Sequence, residues 1–241
     1  MPVNPSSGTP RRRQPAETRR RILEASRRLF LDQGYAATTM AGIASEAGVA
    51  VQTVYFAFHT KGELLMQVVL ATGADDADAP PHRDRAWIRE LMSSTDPRRQ
   101  LALLSEHGTD IFVRIAPLMG LVEAALASDP SLDGAWRETI RERREAMREQ
   151  VQVIARSGAI RPDVGVDRAA DIVFVLQRPE TLRVLTGECG WSIERYKAWL
   201  FETLCHQLLV DDPAADSDSA LATAGLGFAA DLHRSGAARG Q

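Results

Sequence analysis

The 241-residue chain has little cysteine, few aromatic residues and no long apolar run, and each shortage removes a class of protein. Its two cysteines, Cys189 and Cys205, cannot build a disulfide framework and lack the paired spacing of a zinc site. Core filling or surface placement is expected of them, with no metal and no cofactor. No stretch approaches the roughly 18 consecutive apolar residues that a membrane span requires. The opening MPVNPSSGTPRRRQPAETRRR also lacks the apolar middle of a secretory signal, so the cytoplasm is the expected location and the membrane is not an expected partner. Catalytic signatures are missing as well. The five histidines, His59, His82, His107, His206 and His233, lie in unrelated segments without a metal-type HxxxH pair. There is no GxSxG, Gly-rich phosphate loop or CxxC. His107 and Asp110 share a helix face, which reads more readily as a surface hydrogen bond than as a dyad. The chain is not expected to be an enzyme, and an all-helical enzyme is kept only as a minor alternative.

What is present is a globular composition, 44% hydrophobic and 25% charged, with a formal net charge of -3. That charge is uneven. Residues 1–63 hold nine Lys and Arg against five Asp and Glu, which leaves the remainder with a balance of -7. A basic front end can meet phosphates while an acidic body stays off them.

The apolar spacing divides the chain into a basic arm (1–15), a small helical domain (16–62), a larger helical domain (63–210) and a largely disordered tail (211–241). The arm carries Arg11, Arg12 and Arg13, readable as a phosphate- or groove-seeking strand or as a solvated charge run. From Glu17, Ile22, Ala25, Leu29 and Phe30 mark one helix face, stopped by Gly34. Thr38 and Thr39 are good N-cap types for a second helix, MAGIASEA, which Gly48 interrupts. A third short helix, VQTVYFAF, follows the turn, and a fourth begins near Lys61. Two short helices joined by a Gly-containing turn behind a longer one make the three-helix form of a helix-turn-helix.

The body shows helical patterns and no alternating strand pattern. Helices are expected over 61–73 and 84–93, and from Pro97 toward Ile115, where Pro117 should break or kink the last of them. The stretch LMGLVEAALA should be buried. Leu132, Trp136, Ile140, Met147, Val151 and Ile154 mark a long amphipathic helix whose charges, in RETIRERREAMRE, are read as a solvated face of i,i+4 pairs. Residues 167–187 and 192–210 are expected to form the last two helices around the GECG turn. The fold class is therefore all-α.

On the third helix, Val54 and Phe58 should face the core, which leaves Val51, Gln52, Thr53, Tyr55, Phe56 and Ala57 for solvent or DNA. Gln52 is the one side chain able to pair bidentately with a base, most naturally adenine; Val51 and Ala57 suit a thymine methyl. Thr53 and Tyr55 suit phosphates. Phe56 either packs on the sugar-phosphate wall or a base, or caps the seam between the third and fourth helices. Lys61 and Thr39, each at a helix start, are placed to meet phosphate oxygens.

The stretches ILEASRRLFLDQGYAATTMAGIASEAGV and AVQTVYFAFHTKGELL resemble the N-terminal domain of the tetracycline-repressor (TetR) family of regulators. The resemblance combines Gly34-Tyr35, Thr38-Thr39, Ile43-Ala44, Ala47-Gly48-Val49, Thr53-Val54-Tyr55, Phe58 and Lys61. TLRVLTGECGWSIERYKAWLFETL is more loosely similar to the last two helices of some such regulators. The resemblance implies a homodimer closed by an intersubunit four-helix bundle, here through Tyr196, Trp199, Leu200, Leu204 and Leu208. It also implies a pocket for a small-molecule inducer, whose binding releases double-stranded, palindromic DNA. Lining residues would be Phe112, Met119, Trp136, Ile140, Phe174 and Gln177, with Arg178 or Glu123 as polar anchor, although each also reads as plain core. A ligand-independent DNA-binding module is the alternative; a body this large exceeds what DNA binding and dimerisation alone need. Two departures stand out: Ala50 replaces a polar cap at the start of the recognition helix, and Ala41 and Gly42 replace polar residues that could reach DNA from the second helix.

Overall fold

The computed structural model describes residues 13–74 and 84–210, and among them the regular structure is helical, with one isolated antiparallel bridge between Ile160 and Leu209. Arg11, Arg12, His82 and the tail at 211–241 lie outside the described residues.

The first helix, α1 (Arg13–Ala37), starts inside the expected arm. Pro15 falls in its first turn, where a missing N–H deprives no carbonyl of a partner. Ile22, Ala25 and Phe30 are turned inward and fully buried or nearly so. Gly34 interrupts the helix at φ 82°, ψ 170°, a conformation that a Cβ would strain. The Thr38 hydroxyl then closes the corner by donating to the Gly34 carbonyl at 2.7 Å. In α2 (Met40–Ala47) the N-cap is Thr39, whose Oγ1 accepts from the Gly42 N–H at 3.0 Å. Gly48 ends that helix in the left-handed region (φ 64°, ψ 43°), and Arg21 of α1 donates to the Ala47 and Gly48 carbonyls there. After α3 (Val51–Phe58) comes α4 (Lys61–Ala74), which packs on both α1 and the body.

The body comprises α5 (Ala86–Ser93), α6 (Pro97–Leu126), α7 (Pro130–Ala155), α8 (Gly165–Leu176), α9 (Pro179–Arg183), a π-type turn at Val184–Glu188, and α10 (Ile193–Leu208). The central member is α6, 30 residues and hence about 45 Å long, which touches α1, α4, α5, α7, α9 and α10. Asp96 caps it by accepting from the Arg98 N–H at 2.9 Å, ahead of Pro97.

Three expectations are corrected. Pro117 does not end its helix: α6 runs through it. Pro117 is exposed and so is Val113, whose carbonyl the proline leaves unpaired, so water can satisfy that group. Phe112, Ile115, Leu118 and Met119 meanwhile hold both sides of the site in the core. Pro179 does break the helix expected over 167–187. Arg178 takes the extended conformation (φ -98°, ψ 146°) that a following proline favours, and α8 stops at Leu176. The stretch LMGLVEAALA is only half interior: Leu118, Met119, Val122 and Ala125 are buried, whereas Gly120, Glu123 and Ala124 are exposed.

One core spans head and body, from Ile22 and Val54 to Leu104, Val151 and Leu204. A polar contact inside it depends on a glycine. Gln177, buried at the end of α8, donates from Nε2 to the Leu104 carbonyl of α6, and a Cβ at Gly108 would stand 1.8 Å from that nitrogen. Gly108→Ala gains about 1 kcal/mol of helix propensity, but it displaces a buried, hydrogen-bonded amide. A net loss of about 2 kcal/mol is expected, read as a lower urea midpoint at unchanged m-value.

Candidate functional site

The outward face of α3 is the one exposed surface in the head where polar and aromatic groups converge on a short helix. Val54 and Phe58 are buried, as their spacing predicted, and they seat α3 on the domain core. Gln52, Tyr55 and Phe56 are exposed, and Val51, Thr53 and Ala57 are half-buried. Phe56 is 88% exposed, so it does not cap the seam with α4, and an aromatic ring lies open on the recognition face. Ala50 gives α3 no side-chain cap. Thr39 is exposed beside this face; its oxygen caps α2 and its hydroxyl hydrogen points to no described acceptor.

Lys61 departs from its expected role. Its Nζ donates to the Tyr35 carbonyl at 2.9 Å and the Thr38 carbonyl at 3.1 Å, and lies 4.1 Å from the centre of the Tyr35 ring. Two of the ammonium's three N–H groups are therefore engaged under the α1–α2 corner, which gives Lys61 a role inside the head's own fold. The N–H of Glu63 is likewise taken by Thr60 Oγ1 at 3.0 Å. Tyr35 carries the connection onward: its ring stacks on Phe30 (centroids 5.8 Å apart), and its hydroxyl donates to Asp129 Oδ2 at 2.5 Å, in the turn between α6 and α7. Burial, then the bond to Asp129, pushes the Tyr35 phenol well above its ordinary pKa, so the bond persists through the neutral range.

In the body, the expected pocket residues separate into those that converge and those that do not. Phe112, Phe174, Gln177 and Arg178 come together around a residue the sequence reading assigned to the solvent face, Arg143. Its guanidinium lies 4.8 Å from the Phe112 ring centre and 4.7 Å from that of Phe174, and it donates to the Gln177 carbonyl. Arg178 approaches the same Phe174 ring at 5.8 Å and pairs with Glu180 at 3.0 Å. Burial, then repulsion from Arg178, lowers the pKa of Arg143 to about 10, which leaves it charged at neutral pH. The signal was in the sequence: Arg143 is three residues after Ile140 and four before Met147, on the helix's own apolar stripe. Met119 is buried and Trp136 packs on the core, whereas Ile140 is only half-buried. Glu123 is exposed on the outside of α6 and cannot anchor anything within.

The expected dimer residues need a sharper correction. Tyr196, Leu200, Leu204 and Leu208 are completely buried within the chain's own core and are closed to a second subunit; Trp199 is half-buried. Their amphipathic spacing marked a buried face without saying whose core it joined. The surface that α8 and α10 do present is the neighbouring one. Arg168, Asp171, Ile172, Val175 and Leu176 face Thr203 and Gln207 across an open groove of about 390 Å³, and Val175 is 58% exposed.

A short helix with an open polar and aromatic face, set on a second helix by a left-handed glycine and backed by a third, defines the helix-turn-helix class of DNA-binding domain. Within this domain, residues 22–68 match the sequence model of the tetR family of bacterial regulatory proteins. The HTH-type transcriptional regulator TtgR of Pseudomonas putida is 40% identical over 81 residues, which cover 34% of this chain and 36% of that protein. The chain thus matches little more than a third of that relative's length. Two solved structures share the fold over most of the chain. One, a Saccharomonospora viridis protein described as a transcriptional regulator and solved in complex with choline, has a TM-score of 0.58 at 22% identity and covers 81% of this chain and 100% of its own. The other, the SmeT–triclosan complex, has a TM-score of 0.60 at 18% identity and covers 80% and 92%.

Lys61→Met distinguishes the internal role from a phosphate contact. Loss of the ammonium from its two carbonyls should lower stability by about 1–3 kcal/mol in urea denaturation. The salt dependence of DNA affinity should stay as in the parent protein; a slope reduced by about 1 would return Lys61 to the phosphate backbone.

Proposed function

We propose that the protein is a transcriptional repressor that binds a palindromic DNA operator as a homodimer and releases it when a small molecule enters the helical body. The observation that carries the DNA part is the open face of α3, where Gln52, Tyr55 and Phe56 stand exposed while Val54 and Phe58 anchor the helix. Gln52 has the donor and acceptor needed for a bidentate contact with adenine. Tyr55, Thr53 and Thr39 supply hydroxyls for phosphate oxygens, and Val51, Ala57 and Phe56 supply apolar contact for thymine methyls or sugars. Lys61 and Tyr35 serve the interface indirectly, by setting the angle at which α2 and α3 leave α1.

A homodimer is supported by the apolar groove between α8 and α10, since a twofold axis through Val175 lets each copy place its α8 against its partner's α10. Half-sites about 34 Å apart would then meet the two α3 helices. Release by a small molecule is supported by the size of the body and by the ligand complexes among its structural neighbours. The bond from Tyr35 to Asp129 supplies a material connection between the α6–α7 turn and the α1–α2 corner.

Selection of bound fragments from random DNA, followed by binding measurements on the winning sequence, tests the reading. Gln52→Ala should weaken the selected operator about ten- to a hundredfold while leaving bulk-DNA affinity unchanged. Equal operator affinity in the variant would remove Gln52 as the principal reader. Val175→Glu should turn the dimer into a monomer in sedimentation equilibrium and weaken operator binding with it; an unaltered dimer would place the twofold elsewhere.

A further inference from the structure

We propose that Arg143 is the anchor for a small organic acid, a carboxylate on an apolar or aromatic body, held between α6, α7 and α8. The proposal rests on the ligand-responsive reading above and specifies the ligand's chemistry. Its basis is an excess of positive charge beside the buried Phe112 ring and the half-buried Phe174 ring. Two cations, Arg143 and Arg178, converge on the Phe174 ring, and only Arg178 has a carboxylate, Glu180, within ion-pair distance among the described residues. Arg143 is paired with rings and with one backbone carbonyl, that of Gln177. Arg143 is half-buried and feels the charge of Glu180 without pairing with it, since Glu180 is bound to Arg178; an anion on the remaining N–H groups of Arg143 would balance the second positive charge.

The arrangement also selects the partner's shape. Phe112 and Phe174 supply ring contacts to the guanidinium, while of its five N–H groups one is engaged by the Gln177 carbonyl among the described residues. A partner for the rest binds at the edge of the guanidinium plane, which is how a carboxylate takes an arginine bidentately. The surroundings of such a carboxylate would be aromatic, so the rest of the ligand is apolar. A cation, such as the choline held by the Saccharomonospora viridis neighbour, would meet two positive charges here against one negative.

The test compares the wild-type protein with Arg143→Met and Arg143→Lys, using benzoate and octanoate as probes, benzamide and octanamide as neutral analogues, and choline as the cationic control. Melting temperature, calorimetric affinity and operator binding are read for each. Arg143→Met should melt close to the wild-type temperature, since the apolar side chain keeps the packing against Phe112 and Phe174 while removing one of two neighbouring positive charges. It should bind the carboxylates at least about tenfold more weakly, the scale of a lost charge-assisted pair, and Arg143→Lys should fall between. A melting temperature well below wild type would show Arg143 to be a structural member and overturn the proposal. So would equal binding of carboxylates and amides, or of carboxylates by wild type and Arg143→Met; operator release by amides or choline would then leave the ligand-responsive reading standing. If no probe of any charge binds the wild type or changes its operator affinity, the anchor and the ligand-responsive reading both fall.

Discussion

The ammonium of Lys61 lies under the α1–α2 corner, between two backbone carbonyls and the face of Tyr35, and the presentation of α3 depends on that corner being held. Gly34 turns the chain where α1 must end, and the carbonyls freed by that turn need donors. Thr38 serves one of them locally; Lys61 reaches back from α4 to serve two others. The same residue thereby ties the third and fourth helices to the first. Tyr35 extends the link to Asp129, and Arg19 bonds Gln67, so head and body meet through hydrogen bonds as well as through a shared core.

Charge is used differently on the two sides of α7. Arg137 and Arg141 pair with Asp133, Glu138 and Glu145 on the exposed face, in contacts that water and salt largely screen. Arg143, two positions beyond Arg141, is half-buried and lies against the Phe112 and Phe174 rings. Identical residue types in one run thus have unrelated energetics, and the difference is only their angular position on the helix.

The reading face is sparse. With Ala41, Gly42 and Ala50 around it, the exposed polar groups are Thr39 at the start of α2 and Gln52 and Tyr55 on α3, with Thr53 half-buried. A face with so few base-reading groups depends on being held at one angle, which is why the internal contacts of Lys61 and Tyr35 matter as much as any side chain on the surface.

Local periodicity and turn chemistry made the head legible before any coordinates. Gly34, Thr39 and Gly48 act through their own φ/ψ preferences or through bonds to residues three or four away, so their roles are written in nearby sequence. The inward set Val54 and Phe58 followed from helical spacing alone, and the open Gln52, Tyr55 and Phe56 followed from it by exclusion. The spacing of Tyr196, Leu200, Leu204 and Leu208 likewise announced a buried face. Only the tertiary structure decided that this face closes the chain's own core and leaves the α8–α10 groove as the free one. The partners of Lys61, Tyr35 and Arg143 were beyond the sequence for the same reason. Their hydrogen-bond partners lie 23 to 94 residues away, and periodicity fixes which side of a helix is apolar but carries no information about which distant helix will cover it.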